Sequence, residues 1–205
     1  IILPSYGESA TQGFGLLGGG YYYGGNQYFD AKLTGDIYTE GNYKIDLGSR
    51  YRDIYKYSGN FLLSYAKNQN GIAESPGYSV QPNYSLSWSH AQDVKANPGT
   101  SFSASVNAAT PSYFTKNSYD LSQITSQTMN SSINFSRQFQ NTPFNLSISM
   151  ANSENFQTKA FTFDLPDATL TMNRINPFKN KSETKKHWYD EINVTYSMKL
   201  VNHLA

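Results

Sequence analysis

Residues 29–37 place Phe29, Ala31, Leu33 and Ile37 on one parity and Asp30, Lys32, Thr34 and Asp36 on the other. A two-residue period sends successive side chains to opposite faces of an extended chain, so this run specifies a strand with one apolar and one polar face. The pattern returns along the whole sequence. Ile45, Leu47 and Tyr51 oppose Lys44, Asp46, Arg50 and Arg52; Phe102, Ala104, Val106 and Ala108 oppose Ser101, Ser103, Ser105 and Asn107. Ile192, Val194, Tyr196, Met198 and Leu200 oppose Asn193, Thr195, Ser197 and Lys199. Soluble sandwiches also alternate, so the environment of the two faces must be read from composition.

Only 38% of the 205 residues are apolar and the mean hydropathy is −0.57, yet the chain holds 17 Tyr and 12 Phe. Disordered chains share the polarity but are poor in aromatics. A transmembrane β-barrel combines a polar interior, an apolar outer band and aromatic girdles, which suits this mixture. No stretch approaches the 18 or so apolar residues of a membrane-spanning helix. The net charge of +1 gives no case for nucleic acid. Lys179, Lys181, Lys185 and Lys186 form the one cluster of like charge, read as a solvated loop. Cysteine is absent, so these residues hold neither a disulfide nor a thiolate metal site.

The alternation and turn residues predict about twelve strands, with ends good to a few residues. They cover 1–9, 12–24, 27–40, 42–55, 57–69, 79–92, 99–110, 126–140, 143–153, 156–163, 168–176 and 187–201. Gly24-Gly25-Asn26, Gly41-Asn42, Asn70-Gly71, Asn97-Pro98-Gly99, Asn141-Thr142-Pro143 and Pro166-Asp167 mark turns. No helical period of useful length is present. The long connections, at 70–78, 111–125 and 177–186, are all odd in order. Barrels carry short turns on the periplasmic side and longer loops outside. This parity predicts 111–125 and 177–186 on one, extracellular side, with Asn141-Thr142 on the other. The fold class expected is therefore all-β: an antiparallel up-and-down transmembrane β-barrel. Phe29, Leu33, Leu47, Phe61 and Leu63 are expected on its lipid side.

A catalytic site does not assemble from these residues. His90, His187 and His203 lie far apart and none is in metal-ligand spacing with another, so no metal site is expected. His90 follows an aromatic strand and reads as an interfacial residue. There is no Gly-x-Ser-x-Gly elbow and no phosphate-cradling loop, so neither an enzyme nor a cofactor is expected.

The second strand is unusual. Gly13, Gly15, Gly18, Gly19, Gly20, Gly24 and Gly25 leave little side chain to pack. They specify either strong curvature with close backbone approach or a weak seam. Pro4 in the neighbouring strand removes one ladder donor, which belongs at an edge.

Leu3-Pro4-Ser5, Gly13-Phe14, Gly20-Tyr21-Tyr22-Tyr23 and Asn26-Gln27-Tyr28-Phe29-Asp30-Ala31-Lys32-Leu33-Thr34 together resemble the start of the barrel of LptD. That family assembles lipopolysaccharide in the Gram-negative outer membrane. Gly35-Asp36-Ile37-Tyr38-Thr39, Tyr55-Lys56-Tyr57-Ser58-Gly59, Trp88-Ser89-His90, Lys95-Ala96-Asn97-Pro98-Gly99 and Met172-Asn173-Arg174-Ile175-Asn176-Pro177-Phe178 continue the likeness over most of the chain. The family commonly has a proline before the Tyr-Tyr pair, where this chain has Gly20.

The resemblance implies that residues 1–205 are one partial outer-membrane barrel domain: the N-terminal strands of a larger barrel of about 26 strands. The family's jelly-roll and later strands have no counterpart here, and a terminal aromatic is lacking. The segment is therefore expected not to close on itself. The implied function is delivery of lipopolysaccharide to the outer leaflet through the lumen and a lateral seam. Pro4, Gly18, Gly19 and Gly20 are the candidate seam residues. The implied partners are lipopolysaccharide, an LptE-like plug lipoprotein, a periplasmic Lpt bridge docked to the jelly-roll, and outer-membrane lipid. The rival reading is a general porin or solute channel, with the same strands but no plug and no weak seam.

Overall fold

A computed structural model describes residues 1–9, 12–71, 74–118, 121–125, 128–178 and 188–204. The alternating runs form one antiparallel sheet of eleven strands, each hydrogen-bonded to its sequence neighbours. The strands are β1 (Ser5–Ser9), β2 (Gly13–Gly24), β3 (Phe29–Tyr38), β4 (Tyr43–Asp53), β5 (Tyr57–Asn70) and β6 (Ser79–Gln92). They continue with β7 (Thr100–Ala109), β8 (Thr128–Gln138), β9 (Phe144–Asn155), β10 (Ala160–Ile175) and β11 (Val194–Leu204). Two five-residue helices, α1 (Tyr113–Asn117) and α2 (Leu121–Thr125), interrupt the connection between β7 and β8. The up-and-down order is the one expected. Among the described residues no ladder joins β1 to β11, so both remain edges.

Two expectations change. The runs 156–163 and 168–176 are one strand rather than two. Pro166-Asp167 is a β-bulge, not a turn. On one side the pairing steps from Asp164↔Ala151 to Asp167↔Ser149, and on the other from Leu165↔Asn202 to Ala168↔Leu200. Each step has one residue more on β10, which is where a proline without a ladder donor is tolerated inside a sheet. The merger also moves the connection 176–193 to even order. The strand ends it joins, Ile175 and Val194, therefore lie at the sheet end opposite Ala109 and Thr128, against the predicted shared side, while residues 179–186 of that connection lie outside the described residues. The short 139–143 turn does lie opposite 110–127. The lysine cluster and His187 lie outside the described residues.

Register makes the two faces continuous. Leu33 pairs with Leu47, Leu47 with Leu63, and Leu63 with Leu86. This aliphatic midline is half exposed, with Leu33 at 49%. Phe29 and Phe61 share its face, as expected.

Aromatic rings flank the midline at both sheet ends. Toward one end Tyr23 meets Phe29, and Tyr51, Tyr57, His90 and Phe102 follow with ring centroids 5.3–6.1 Å apart. Toward the other lie Tyr6–Phe14, Tyr43–Tyr65–Tyr84 and Phe161–Phe163. Tyr43 and Tyr51 on β4, like Tyr57 and Tyr65 on β5, are eight residues apart. That is roughly 26 Å along a strand, shortened by tilt, against an apolar band about 25 Å tall. Cations on this face sit at the rims, with Lys67 over the Tyr43 ring and Arg137 over Phe139.

The buried residues lie mostly on the other face. Tyr38, Asn42, Ser64, Ala66, Asn68, Asn83 and Tyr113 are all under 9% exposed. They gather where α1 rests against β5 and β6. The best-buried part of the molecule is therefore a polar surface with its cover, while the leucines face outward.

Candidate seam and covered polar face

The structure brings the four predicted seam residues together on the β1–β2 pair. The ladder runs from Ser9↔Gly13 to Ser5↔Leu17 and then breaks. It resumes only as an isolated bridge, with Ile2 N donating to Gly20 O at 2.7 Å and Gly20 N to Ile2 O at 3.0 Å. Leu3 and Pro4 lie opposite Gly18 and Gly19 in the gap. A Cβ on Gly19 would stand 3.0 Å from Pro4 Cβ.

Curvature explains part of the glycine run. Gly18 has φ +68°, which an L side chain rarely adopts, and the β2–β3 register shifts there. Its N–H donates to Asp36 Oδ1 at 2.7 Å instead of to the ladder. Gly20 is pressed onto β3, where a Cβ would fall 2.0 Å from the Leu33 carbonyl oxygen. The N–H that the family's proline lacks is used here, in the bridge to Ile2. β1 is thus a five-residue edge strand held by an interrupted ladder.

The polar face carries paired charge. Asp30 accepts from Arg50 Nη2 at 2.9 Å, Arg50 N at 3.0 Å and the Tyr22 hydroxyl at 3.1 Å. Lys44 Nζ is 3.0 Å from Asp46, and Lys199 is 3.9 Å from Asp167. Ser, Asn and Thr fill the rest, so this face presents hydroxyls and amides instead of a strong field of one sign.

Over part of this face lies the start of the 110–127 connection. Asn83 is its hub. Asn83 Oδ1 accepts from the hydroxyls of Thr110 at 2.9 Å and Ser112 at 2.5 Å, while Nδ2 donates to Asn68 Oδ1 at 2.7 Å. Asn68 and Asn117 exchange two amide bonds of 3.0 Å. Lys116 Nζ donates to Gln81 at 2.7 Å, and Gln12 Nε2 donates to the Lys116 carbonyl at 3.4 Å. The Tyr113 ring is 5% exposed. Its burial pushes the phenol pKa up, opposed by the Ser64 hydrogen bond and the Lys44 charge.

Sequence reasoning missed this hub, because Asn68 and Asn83 look like any polar-parity residue. His90 is where an interfacial residue belongs. It lies in an aromatic girdle, 2.9 Å from the Tyr51 hydroxyl, which also accepts from Trp88 Nε1 at 2.9 Å. Among the described residues no group of three His, Cys, Asp or Glu could hold a metal ion.

A sheet with consecutive antiparallel strands, an aliphatic midline between two aromatic girdles and a polar reverse face defines a protein of the outer-membrane barrel type. The particular family is shown by comparison: the model of the family described as LptD protein matches residues 1–205, and the chain belongs to that family. Membership gives it a role in lipopolysaccharide transport and assembly at the outer membrane. No curated protein matches the chain.

Proposed function

We propose that residues 1–205 form one arc of a barrel wall that delivers lipopolysaccharide to the outer leaflet. The sugar travels along the polar face and the acyl chains leave sideways at the β1 edge. The observation that carries this reading is the break at residues 3–4 opposite 18–19 in a short edge strand. Each missing ladder bond removes only about 0.5–1.5 kcal/mol net. A gate of this kind opens by losing a few such bonds, and here the Pro4 donor is already gone. In this reading an LptE-type lipoprotein seats against the polar face, and the periplasmic bridge hands over the lipid through a jelly-roll. A porin has no use for an interrupted edge strand.

The test is a cysteine pair joining β1 to the strand it meets in the full-length barrel. Cross-linking is expected to stop surface display of lipopolysaccharide and to raise sensitivity to large hydrophobic antibiotics, with folded barrel unchanged. Export at the normal rate through a cross-linked edge would refute lateral release.

A further inference from the structure

We propose that residues 110–118 are a displaceable cover supplied by the chain itself, seated on the polar face by Tyr113 and the Asn83–Asn68–Asn117 cluster, which swings away when a bulky solute passes. The proposal rests on this face being the barrel interior. Three features carry it.

First, the contact is specific. Four side chains of 110–118 reach across to β5 and β6: Thr110 and Ser112 to Asn83, Lys116 to Gln81, and Asn117 to Asn68. The Tyr113 ring is buried between them, with Ser64 and Lys44 as its polar neighbours. A five-residue helix is far too short to persist in water by itself. The order of α1 therefore comes from its docking.

Second, the contact is of a kind that comes undone. Hydroxyls and amides dominate it, and water replaces such bonds at little net cost. Apart from Leu62, the aliphatic side chains of β3 to β6 that would make a permanent core sit on the opposite face.

Third, the cover bridges a space instead of filling it. A cavity of about 460 Å³ lies beneath, lined by Lys32, Thr34, Asp46 and Ser85 on the sheet and by Phe114 and Ser118 on the cover. Beside it, a second space of about 20 Å³ between Asn42, Asn68 and Lys116 has room for about one water. The cover thus has its own polar seat and an underside that is only partly packed, so little contact is lost when it lifts.

The experiment uses the full-length protein in planar bilayers and in cells. Ser112→Ala with Tyr113→Ala loosens the cover from its own side, and Asn83→Ala loosens it from the sheet. The loop variant guards against misfolding of the buried sheet variant. Gln81→Cys with Lys116→Cys, bridged by a short cleavable thiol reagent, locks the cover down.

The loosened proteins are expected to spend about tenfold more time in a high-conductance state. The locked protein should lose that state and regain it on cleavage. Conductance requires no lipopolysaccharide, so this outcome stands or falls apart from lateral release. A loop variant that conducts like the parent, or a locked protein that passes bulky solute at the parent rate, would overturn the proposal.

Discussion

The β5–β6 and β1–β2 pairs use the same backbone chemistry and have opposite characters. β5 is paired with β6 along all fourteen of its residues, from Tyr57↔Gln92 to Asn70↔Ser79. It also carries the Leu63 midline on one face and the seat for α1 on the other. β1 has five residues, a partner rich in glycine, and a ladder that lapses at Pro4. On the proposed reading, the difference lets one sheet be wall and exit together. Strand length and side-chain cross-links stiffen the middle, while missing donors and missing Cβ atoms leave the edge near the scale of thermal motion. The proposed exit lies where the ladder is thinnest.

The strongest way to break this comparison is to attack the stiff region. Leu63→Arg puts a charge on the midline of the apolar face, where arginine costs about 2–4 kcal/mol in a barrel at mid-bilayer. Folded barrel, read by heat-modifiable gel mobility, is expected to fall sharply. An unchanged yield would show that this face does not meet lipid.

Next in size is Gly20→Val. Its Cβ would collide with the Leu33 carbonyl, and relieving such overpacking costs about 1–3 kcal/mol. The expected result is a β2–β3 pair that melts earlier in denaturant, with the β5–β6 region unaffected by amide exchange. Equal loss in both regions would mean that the edge and the middle are one cooperative unit.

A smaller effect is expected from pH. Burial raises the Tyr113 phenol above its ordinary value, so the docked state holds its proton longer than the released one. Docking is therefore at full strength below about pH 10, the usual tyrosine value, and weakens as pH rises from there through the raised pKa. Lys44 and Asp46 are the charged groups facing the ring. Protease access to 110–118 should increase above that pH in the parent and be insensitive to pH in Tyr113→Phe. A parent without the alkaline step would show that the ring's burial does not hold the cover.

The smallest effect is expected from Pro4→Val, which restores one donor worth about 0.5–1.5 kcal/mol. Lipopolysaccharide display should slow modestly while folded barrel stays constant. Faster display would invert the reading of the seam.

Much of the fold was legible because a half-buried strand writes its period into sequence. Residues 27–69 gave three antiparallel strands with Leu33, Leu47 and Leu63 in line, and β6 matches its predicted range at both ends. The interruption of the β1–β2 ladder near Pro4, Gly18 and Gly19 was legible too, since proline and glycine act through the backbone and need no partner to be recognised. Pro166-Asp167 misled because a proline pair signals a turn and a bulge alike, and only the register on both sides separates them. The cover was invisible for a different reason. Asn68 and Asn117 meet across 49 residues of sequence, and nothing local distinguishes an amide that finds such a partner from one that faces water.

The two bulges have a further consequence, which concerns bookkeeping of parity. Before Gly18 the apolar side of β2 is even-numbered, with Phe14 and Leu16; after it the same side is odd-numbered, with Tyr21 and Tyr23. β10 switches the other way, from Phe161 and Phe163 to Ala168, Leu170 and Met172. Each bulge is thus a phase correction that absorbs a one-residue offset already present in the sequence. Straightening either strand while keeping its extra residue would leave every pairing beyond it chemically mismatched, turning rings toward the hydrated side and hydroxyls toward the apolar one, whereas deleting Gly18 or Pro166 itself would keep the register. A single deletion in the regular part of either strand is in this sense a frameshift written in space, felt along the strand although no codon after it has changed.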